Sequence, residues 1–441
     1  MTAAPTSITV GRLVARTLRA AGVDAVYGRP LAGVRVVRVE ADGLAMLMAA
    51  AHARVHGRPA AVHRGDGTLA VGADPDAGGA PGAATPVDSV EDLLSSVQAV
   101  HAAAHGRSGR LAMALALDPD APAPDVVPTP PVPPDRWTPP DDALVAAVRA
   151  AARPVVLAGP GVVWAGAVPG LHAVAAAAGL GVLNTWGAKG VFDWRSPHHL
   201  ATAGLQARDF ELGGLAEADL IVATGIDPAE APGQRWRHLA PVVDVASGAL
   251  DPLAGRWSRP PVAIAVPPLR AALGRVTQEG WASSATPLAP SLVTRHYAAV
   301  VGPGGLVAAD PGVAGYWVAR TFATTGVGSV HVPASPGSRG FAVACAAVAR
   351  LRAPDRPVLA VVDGPADDHV REALDCARRL GADVPVEQWS AGGEPLDAAH
   401  HLDRLRRLVL GGTAGVADLA TDAGQLDRMV EVAGDVIAWT A

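Results

Sequence analysis

ARPVVLAGPGVVWAGAVPGLHAVAAAAGLGVLNTWGAKGVFDWRSPHHLATAG at residues 152–204, followed by EADLIVATGID at 217–227, is the stretch on which the fold turns. Pro154 to Ala158 is a short apolar run that ends in a Gly-Pro-Gly turn at Gly159 to Gly161. Val168 to Ala178 has the length and spacing of a helix, Gly181 to Leu183 is a second apolar run, and Asp219 to Thr224 is a third. Short apolar runs bounded by glycine and separated by helix-length stretches read as βαβ units, which build parallel sheets.

The same alternation extends to both sides. Val10 to Ala21 reads as a helix with Leu13, Val14 and Leu18 on one face, stopped by Gly22 and followed by a strand over Val23 to Tyr27. Beyond the quoted stretch, Gly305 to Ala309, Val358 to Val362 and Asp435 to Trp439 read as strands with helices between them. Ten prolines fall in the 22 residues Pro119 to Pro140. Proline lacks the N–H that sheets and helix interiors need, so an extended surface linker is expected there. Gln278 to Pro290 is a weaker boundary. The expected division is 1–120, a linker over 121–140, 141–277, a linker over 278–290, and 291–441: three α/β domains of parallel sheets flanked by helices.

Composition excludes several classes. Half of the 441 residues are hydrophobic and 18% are charged, too apolar a balance for a disordered chain. A net charge of −6 argues against a dedicated nucleic-acid binder, which needs a basic face to neutralise phosphates. Two cysteines, Cys345 and Cys376, exclude a disulfide scaffold and a Cys-rich zinc site. No unbroken apolar run reaches membrane-spanning length, and Met1 to Thr9 lacks a basic stretch leading into an apolar one. The expectation is a soluble, cytoplasmic protein with no membrane and no nucleic-acid partner. Lys189 is the single lysine and Asn184 the single asparagine.

Ligands of parallel α/β sheets sit where a strand's carboxyl end meets a glycine-rich turn and a helix N-terminus. Gly159 to Gly161, Pro336-Gly-Ser-Arg-Gly340 and Val361-Val-Asp-Gly-Pro365 have that form. Their order resembles thiamine-diphosphate-dependent enzymes of the acetolactate synthase type. In residues 152–227 the resemblance lies in a strand, a glycine-rich turn, a GKG-like Ala188-Lys189-Gly190 and a late ADL strand. TVGRLVARTLRAAGVDAVYG (9–28) resembles the family's first helix and strand, and ADGLAMLMAAAHARVHGRP (41–59) its cofactor-activating helix. LVAADPGVAGYWVARTF (306–322) and GSRGFAVACAAVARLRAPDRPVLAVVDG (337–364) resemble the start of its diphosphate-binding domain. The first domain is shortened between Pro59 and Val87, where Gly65-Asp66-Gly67 reads as a turn.

The resemblance implies thiamine diphosphate and Mg2+, held between the first domain of one subunit and the third of another, hence a homodimer or higher oligomer. It implies decarboxylation of a 2-oxo acid and carboligation. The activating glutamate position falls on Asp42, about 1.5 Å shorter in reach, with Glu40 nearby. The cofactor-binding turns map to Gly337, Gly340, Asp363 and Gly364, and the metal ligands to Asp363, with Asp367 beside it. The GDG pattern lacks its first glycine before Asp363, and the downstream asparagine position reads Trp389-Ser-Ala-Gly-Gly393. Arg339 stands where the family has an apolar residue. These departures support an alternative, a non-catalytic homologue serving as partner or regulatory subunit to an intact homologous subunit. A third reading is a nucleotide-binding module holding FAD through Gly159, Gly161 and Lys189.

For each singled-out residue a plain structural role competes. Asp42 can be a helix-start acid, and Asp363 a strand-end turn residue. His52 and His56, spaced i, i+4, lack the glutamate of an HExxH pattern and read as packing or surface histidines. His198-His199 and His400-His401 lack a third ligand at metal spacing. Cys345 is expected to be a buried thiol, and Cys376 to have its pKa depressed by Arg371, Arg378 and Arg379.

Overall fold

A computed structural model describes residues 7–71, 84–104, 111–129, 142–257, 264–411 and 415–439. The chain divides into two compact units, Met1–Pro134 and Asp135–Ala441.

In the first unit the strands are β1 (Ser7–Thr9), β2 (Ala25–Gly28), β3 (Val36–Arg38), β4 (Ala60–His63), β5 (Thr68–Val71), β6 (Thr85–Val87), β7 (Leu111–Leu115) and β8 (Pro122–Pro124). Six of them form a sheet ordered β3-β2-β4-β5-β7-β6. The sheet is mixed rather than parallel, because β5 runs antiparallel to both β4 and β7. The short Arg64–Gly67 turn allows only a hairpin return there. The helix Val10–Ala20 follows the expected face, burying Leu13, Val14 and Leu18 on this sheet's core. Its N-cap Thr9 accepts from the Arg12 N–H.

The proline-rich stretch is only partly linker. Pro122–Pro124 pairs antiparallel with β1 in a two-stranded sheet, with Ala123 opposite Ile8. A two-stranded sheet is all edge, where proline's missing N–H is tolerated. Residues 130–141 of that stretch lie outside the described residues. In the second boundary, Gln278 to Ala282 complete the helix Pro268–Ala282, and Pro290 begins the helix Pro290–Val301.

The second unit holds two five-stranded parallel sheets. The middle sheet comprises β9 (Pro154–Ala158), β10 (Gly181–Thr185), β11 (His199–Ala203), β12 (Leu220–Thr224) and β13 (Val242–Asp244), ordered β11-β10-β9-β12-β13. The third sheet comprises β14 (Leu306–Ala309), β15 (Val330–His331), β16 (Val358–Asp363), β17 (Val386–Glu394) and β18 (Val416–Leu419), ordered β15-β14-β16-β17-β18. Successive strands are added first on one side and then on the other, so the strand order switches between β9 and β12 in one sheet, and between β14 and β16 in the other. These are the two switch-point crevices where an α/β sheet receives ligands.

One hydrophobic core, including Leu183, Leu200, Leu273, Tyr297, Tyr316, Trp317 and Leu359, joins both sheets. A second, around Val156, Val174, Val222 and Trp257, covers the other face of the middle sheet. The class is therefore α/β with parallel sheets flanked by helices, as expected. Asp435–Trp439 is not a strand. Gly434 (φ 78°) and Trp439 (φ 61°) bend its two ends, and only Val436 makes an isolated bridge, to Gln206. Its apolar residues pack on the shared core instead. Among the described residues, no helix is long and apolar enough to cross a membrane.

Candidate functional site

At the switch point of the third sheet, β14 leads into Asp310 and β16 ends on Asp363. The Asp310 carboxylate is fully buried and accepts the N–H groups of Gly340 (2.9 Å) and Ala342 (2.8 Å), capping the helix Phe341–Arg352. Burial pushes this carboxyl up to about 6, against the two N–H bonds that favour its charge. Asp363 accepts the N–H of Val313 (2.8 Å), at the start of the helix Val313–Thr321. Burial raises its pKa, with the Val313 N–H and Arg339 opposing. Gly312 (φ 123°) lets the carboxylate approach, since a Cβ there would lie 2.3 Å from Asp363 Oδ2. The next three helices repeat the pattern: Asp367 accepts from Val370 N, Asp397 from His400 N, and Asp422 from Gly424 N. Each helix that follows a strand of this sheet thus has its positive N-terminal end bonded to a carboxylate of the chain.

That arrangement decides what the edge can hold. A diphosphate would use these same N–H groups and would meet the carboxylates already there. Mg2+ needs several hard oxygens in near-octahedral array. Asp363 turns its carboxylate to Gly312 and Val313, while Asp367 caps a helix and pairs with Arg339 Nε at 2.5 Å. Burial would raise the Asp367 carboxyl, but the Val370 N–H and Arg339 outweigh it and hold it low. Among the described residues no three His, Cys, Asp or Glu side chains converge on a metal position. The residues here do not fit Mg2+.

A cleft of about 550 Å³ opens one strand further along, lined by Asp363, Gly364, Pro365, Gln388 to Gly392 and Asp418. It brings Asp363 and Gly364 beside the Trp389–Gly393 segment. Gly364 (φ 72°) donates its N–H to Trp389 O at 2.7 Å. Gln388 spans the floor, accepting from Ala366 N (2.9 Å) and donating to Asp418 Oδ1 (2.6 Å). Gly337 lies exposed in the turn before Gly340, outside this lining.

In the first unit, Asp42 opens the helix Asp42–His56 and accepts from Gly65 N at 3.0 Å, tying the helix to the β4–β5 turn. Glu40 is held by two guanidinium groups, Arg29 at 2.5 Å and Arg38 at 2.8 Å. Both acids therefore have partners within their own unit. His52 is buried between Tyr27 OH (2.9 Å) and Asp24 Oδ2 (3.2 Å), with His56 against its ring. Nothing in the sequence spacing pointed to that Tyr–His–Asp row. Burial first, then Asp24, pushes the Tyr27 phenol above its ordinary value, so it serves packing and not nucleophilic attack.

In the middle sheet, Gly159 and Gly161 press against Gly225 at the switch point. A Cβ on Gly159 would lie 2.3 Å from Gly225 O. Their N–H groups are spent on Thr224 O and Gly225 O, both at 2.9 Å, so the turn's role is close packing. A neighbouring cleft of about 360 Å³ lies at the ends of β12 and β13, lined by Gly225, Trp236, Arg237 and Asp244 among others. Lys189 lies elsewhere, after β10, only 7% exposed, and its ammonium has no hydrogen-bond or ion-pair partner among the described residues. Burial, and then Arg320 beside it, push its ammonium down to about 7.

Removing that charge is expected to help the fold. Lys189→Met should raise stability near pH 7 by about 1–4 kcal/mol. The folded pKa is below the ordinary 10.5, so the unfolded chain binds the extra proton between the two values. Wild-type stability should therefore rise with pH from about 7 to 10.5, and urea melts of the variant should lose that slope.

Buried networks carry the charges that sequence reading did not assign. Arg320 Nη2 meets both carboxylate oxygens of Asp209 at 2.8 and 2.7 Å, and Nη1 reaches Thr202 O at 2.6 Å. Glu387 is enclosed by Tyr297, His401 and Arg404. Cys345 is buried as expected. Cys376 reverses expectation: burial raises its pKa and outweighs Arg379, which pulls the other way.

The fold and its edges define a class, the parallel α/β proteins that place glycine-rich turns at sheet switch points. Residues 142–248, the middle sheet with its helices, match the family described as thiamine pyrophosphate enzyme, central domain. The match supports kinship with thiamine-diphosphate-dependent enzymes and a thiamine-diphosphate-related function. No curated protein matches the chain.

Proposed function

We propose that this chain is a non-catalytic relative of acetolactate-synthase-like enzymes, acting as a partner or regulatory subunit in an oligomer with an intact homologous subunit. The observation that carries the reading is the self-capped edge of the third sheet. Asp310, Asp363, Asp367, Asp397 and Asp422 each accept an N–H at the start of a helix that follows a strand of this sheet, the kind of group that a phosphate uses. The pairing of Glu40 with two arginines and of Asp42 with Gly65 supports it from the first unit. In this reading the βαβ architecture is retained for assembly, and the 2-oxo acid chemistry resides in the partner.

Calorimetric titration of the purified chain with thiamine diphosphate, with and without Mg2+, is the test. No heat of binding is expected up to millimolar cofactor in either buffer. Magnesium-dependent binding in the micromolar range would overturn the reading and favour autonomous 2-oxo acid decarboxylation and carboligation. The cleft beside Gly225 supports the nucleotide-binding alternative, for which a flavin absorption band in the purified protein would be the sign.

A further inference from the structure

The geometry points to Arg339 as a resident cation that closes the β16 turn to divalent metals. The loop before the helix Phe341–Arg352 is pinned by Gly340 N on the buried Asp310 carboxylate, at 2.9 Å. Ser338, also buried, anchors the residue on the other side. The side chain between these two fixed points leaves the loop towards the end of β16. There its fork takes three oxygens at once: Nε donates to Asp367 Oδ2 (2.5 Å), Nη1 to Asp363 O (2.7 Å) and Nη2 to Pro365 O (3.2 Å). A carboxylate and two backbone carbonyls are hard oxygen donors of the kind that Ca2+ or Mg2+ takes. A planar guanidinium satisfies the same oxygens as a permanent charge, without dehydrating an ion.

The rest of the turn fits this occupant. Gly364, with φ 72°, reverses the chain so that the carbonyls of Asp363 and Pro365 both face the guanidinium. The Asp363 carboxylate is engaged with Val313 N and is not among the guanidinium's contacts. Removing the Arg339 side chain leaves the carboxylate of Asp367 and two carbonyls without their cation. Arg339→Met should therefore uncover a divalent-metal site that the wild-type chain hides. The inference rests on the geometry of the turn and sharpens the non-catalytic reading without depending on it.

Manganese titration of the full chain, followed by the electron paramagnetic resonance of free Mn2+, tests it. Wild type is expected to bind no Mn2+ below millimolar concentration, and its melting temperature should not respond to Mg2+. Arg339→Met should bind Mn2+ about ten-fold tighter or more, and its melting temperature should rise with Mg2+. Asp367→Asn added to that variant should abolish both effects. Arg339→Lys, which keeps a charge at the turn, should behave as wild type. Should Arg339→Met fail to fold, Arg339→Gln, which also removes the guanidinium charge but keeps a polar side chain in the loop, is expected to bind Mn2+ in its place. Two results would overturn the inference: sub-millimolar Mn2+ binding by wild type that Asp367→Asn removes, or a folded Arg339→Met or Arg339→Gln that binds no more than wild type. Thiamine diphosphate binding without metal would instead overturn the subunit reading and leave Arg339 in its role.

Discussion

Arg320→Ala is expected to cost about 3–5 kcal/mol, a large part of the 5–15 kcal/mol typical of a folded domain. The reason is that Asp209, fully buried, would lose the guanidinium that pairs with it. The Arg320 side chain is 2% exposed and makes a two-oxygen contact with that carboxylate. Asp209 also accepts from Leu205 N (2.8 Å) and Gln206 N (2.9 Å), fixing the loop after β11. Gln206 in turn accepts from Tyr316 OH at 2.8 Å and donates to Met429 O and Gly434 O at 2.8 and 2.7 Å. A single guanidinium on a helix of the third sheet thus organises a loop of the middle sheet and the end of the helix Gly424–Ala433. Arg320→Met should cost nearly as much as Arg320→Ala, because shape is kept but the carboxylate is stranded. Arg320→Met with Asp209→Asn should recover part of the loss, since no bare charge remains. Urea melts would read this as a lower midpoint with unchanged slope. A loss under about 1 kcal/mol would mean that water reaches Asp209 and screens it.

The middle sheet was the most legible part of the sequence, for physical reasons. Pro154–Ala158 and Val168–Ala178 occur at the expected residues, because an apolar strand buried on both faces leaves an unbroken run, and glycine ends the helix at Gly179. Asp435–Trp439 has the same apolar run and forms no strand, since burial against a core and burial in a sheet leave the same composition. At the candidate site, strand ends and glycine turns located Asp363 and Gly364, and strand order then placed them beside Trp389–Gly393. Self-capping was not legible. Asp310 caps a helix that begins beyond the next strand, and Asp363 caps one that begins 50 residues earlier. Those partnerships depend on β14 lying between β15 and β16. Arg320, Asp209 and Glu387 were equally hidden, because an ion pair buried by tertiary packing has no local spacing to mark it.

Glu387→Ala is the second large expected loss, about 3–5 kcal/mol. Glu387 lies on β17 at 0% exposure, accepting from Tyr297 OH (2.5 Å), His401 Nε2 (3.2 Å) and Arg404 Nη2 (3.3 Å). Tyr297 OH also accepts from Trp389 Nε1 at 2.7 Å, so the network reaches the wall of the 550 Å³ cleft. His401 Nδ1 faces His296 Nδ1 at 2.7 Å, where one proton is shared. Burial alone would raise the Glu387 carboxyl, but His401, Tyr297 and Arg404 together hold it below its ordinary value of 4.5. Burial, then His401, pushes His296 down to about 4, with Glu387 opposing and Arg295 and Arg406 adding to the fall. Both groups have folded pKa values below their unfolded ones, so both stabilise at high pH and lose that contribution as acid is added. The His296 contribution should fall away between pH 6.5 and 4, as the unfolded chain takes up the proton that folded His296 refuses, and the Glu387 contribution below 4.5. His296→Gln should flatten the upper part of that fall, while Glu387→Ala lowers stability throughout and removes the lower part. A His296→Gln chain whose urea midpoints respond to acid between pH 6.5 and 4 just as those of wild type do would refute the His296 assignment, since Asp310 and His199, which also titrate differently on folding, act alike in both. A Glu387→Ala midpoint equal to wild type at pH 7 would mean that Arg404 and His401 find water once the carboxylate is gone.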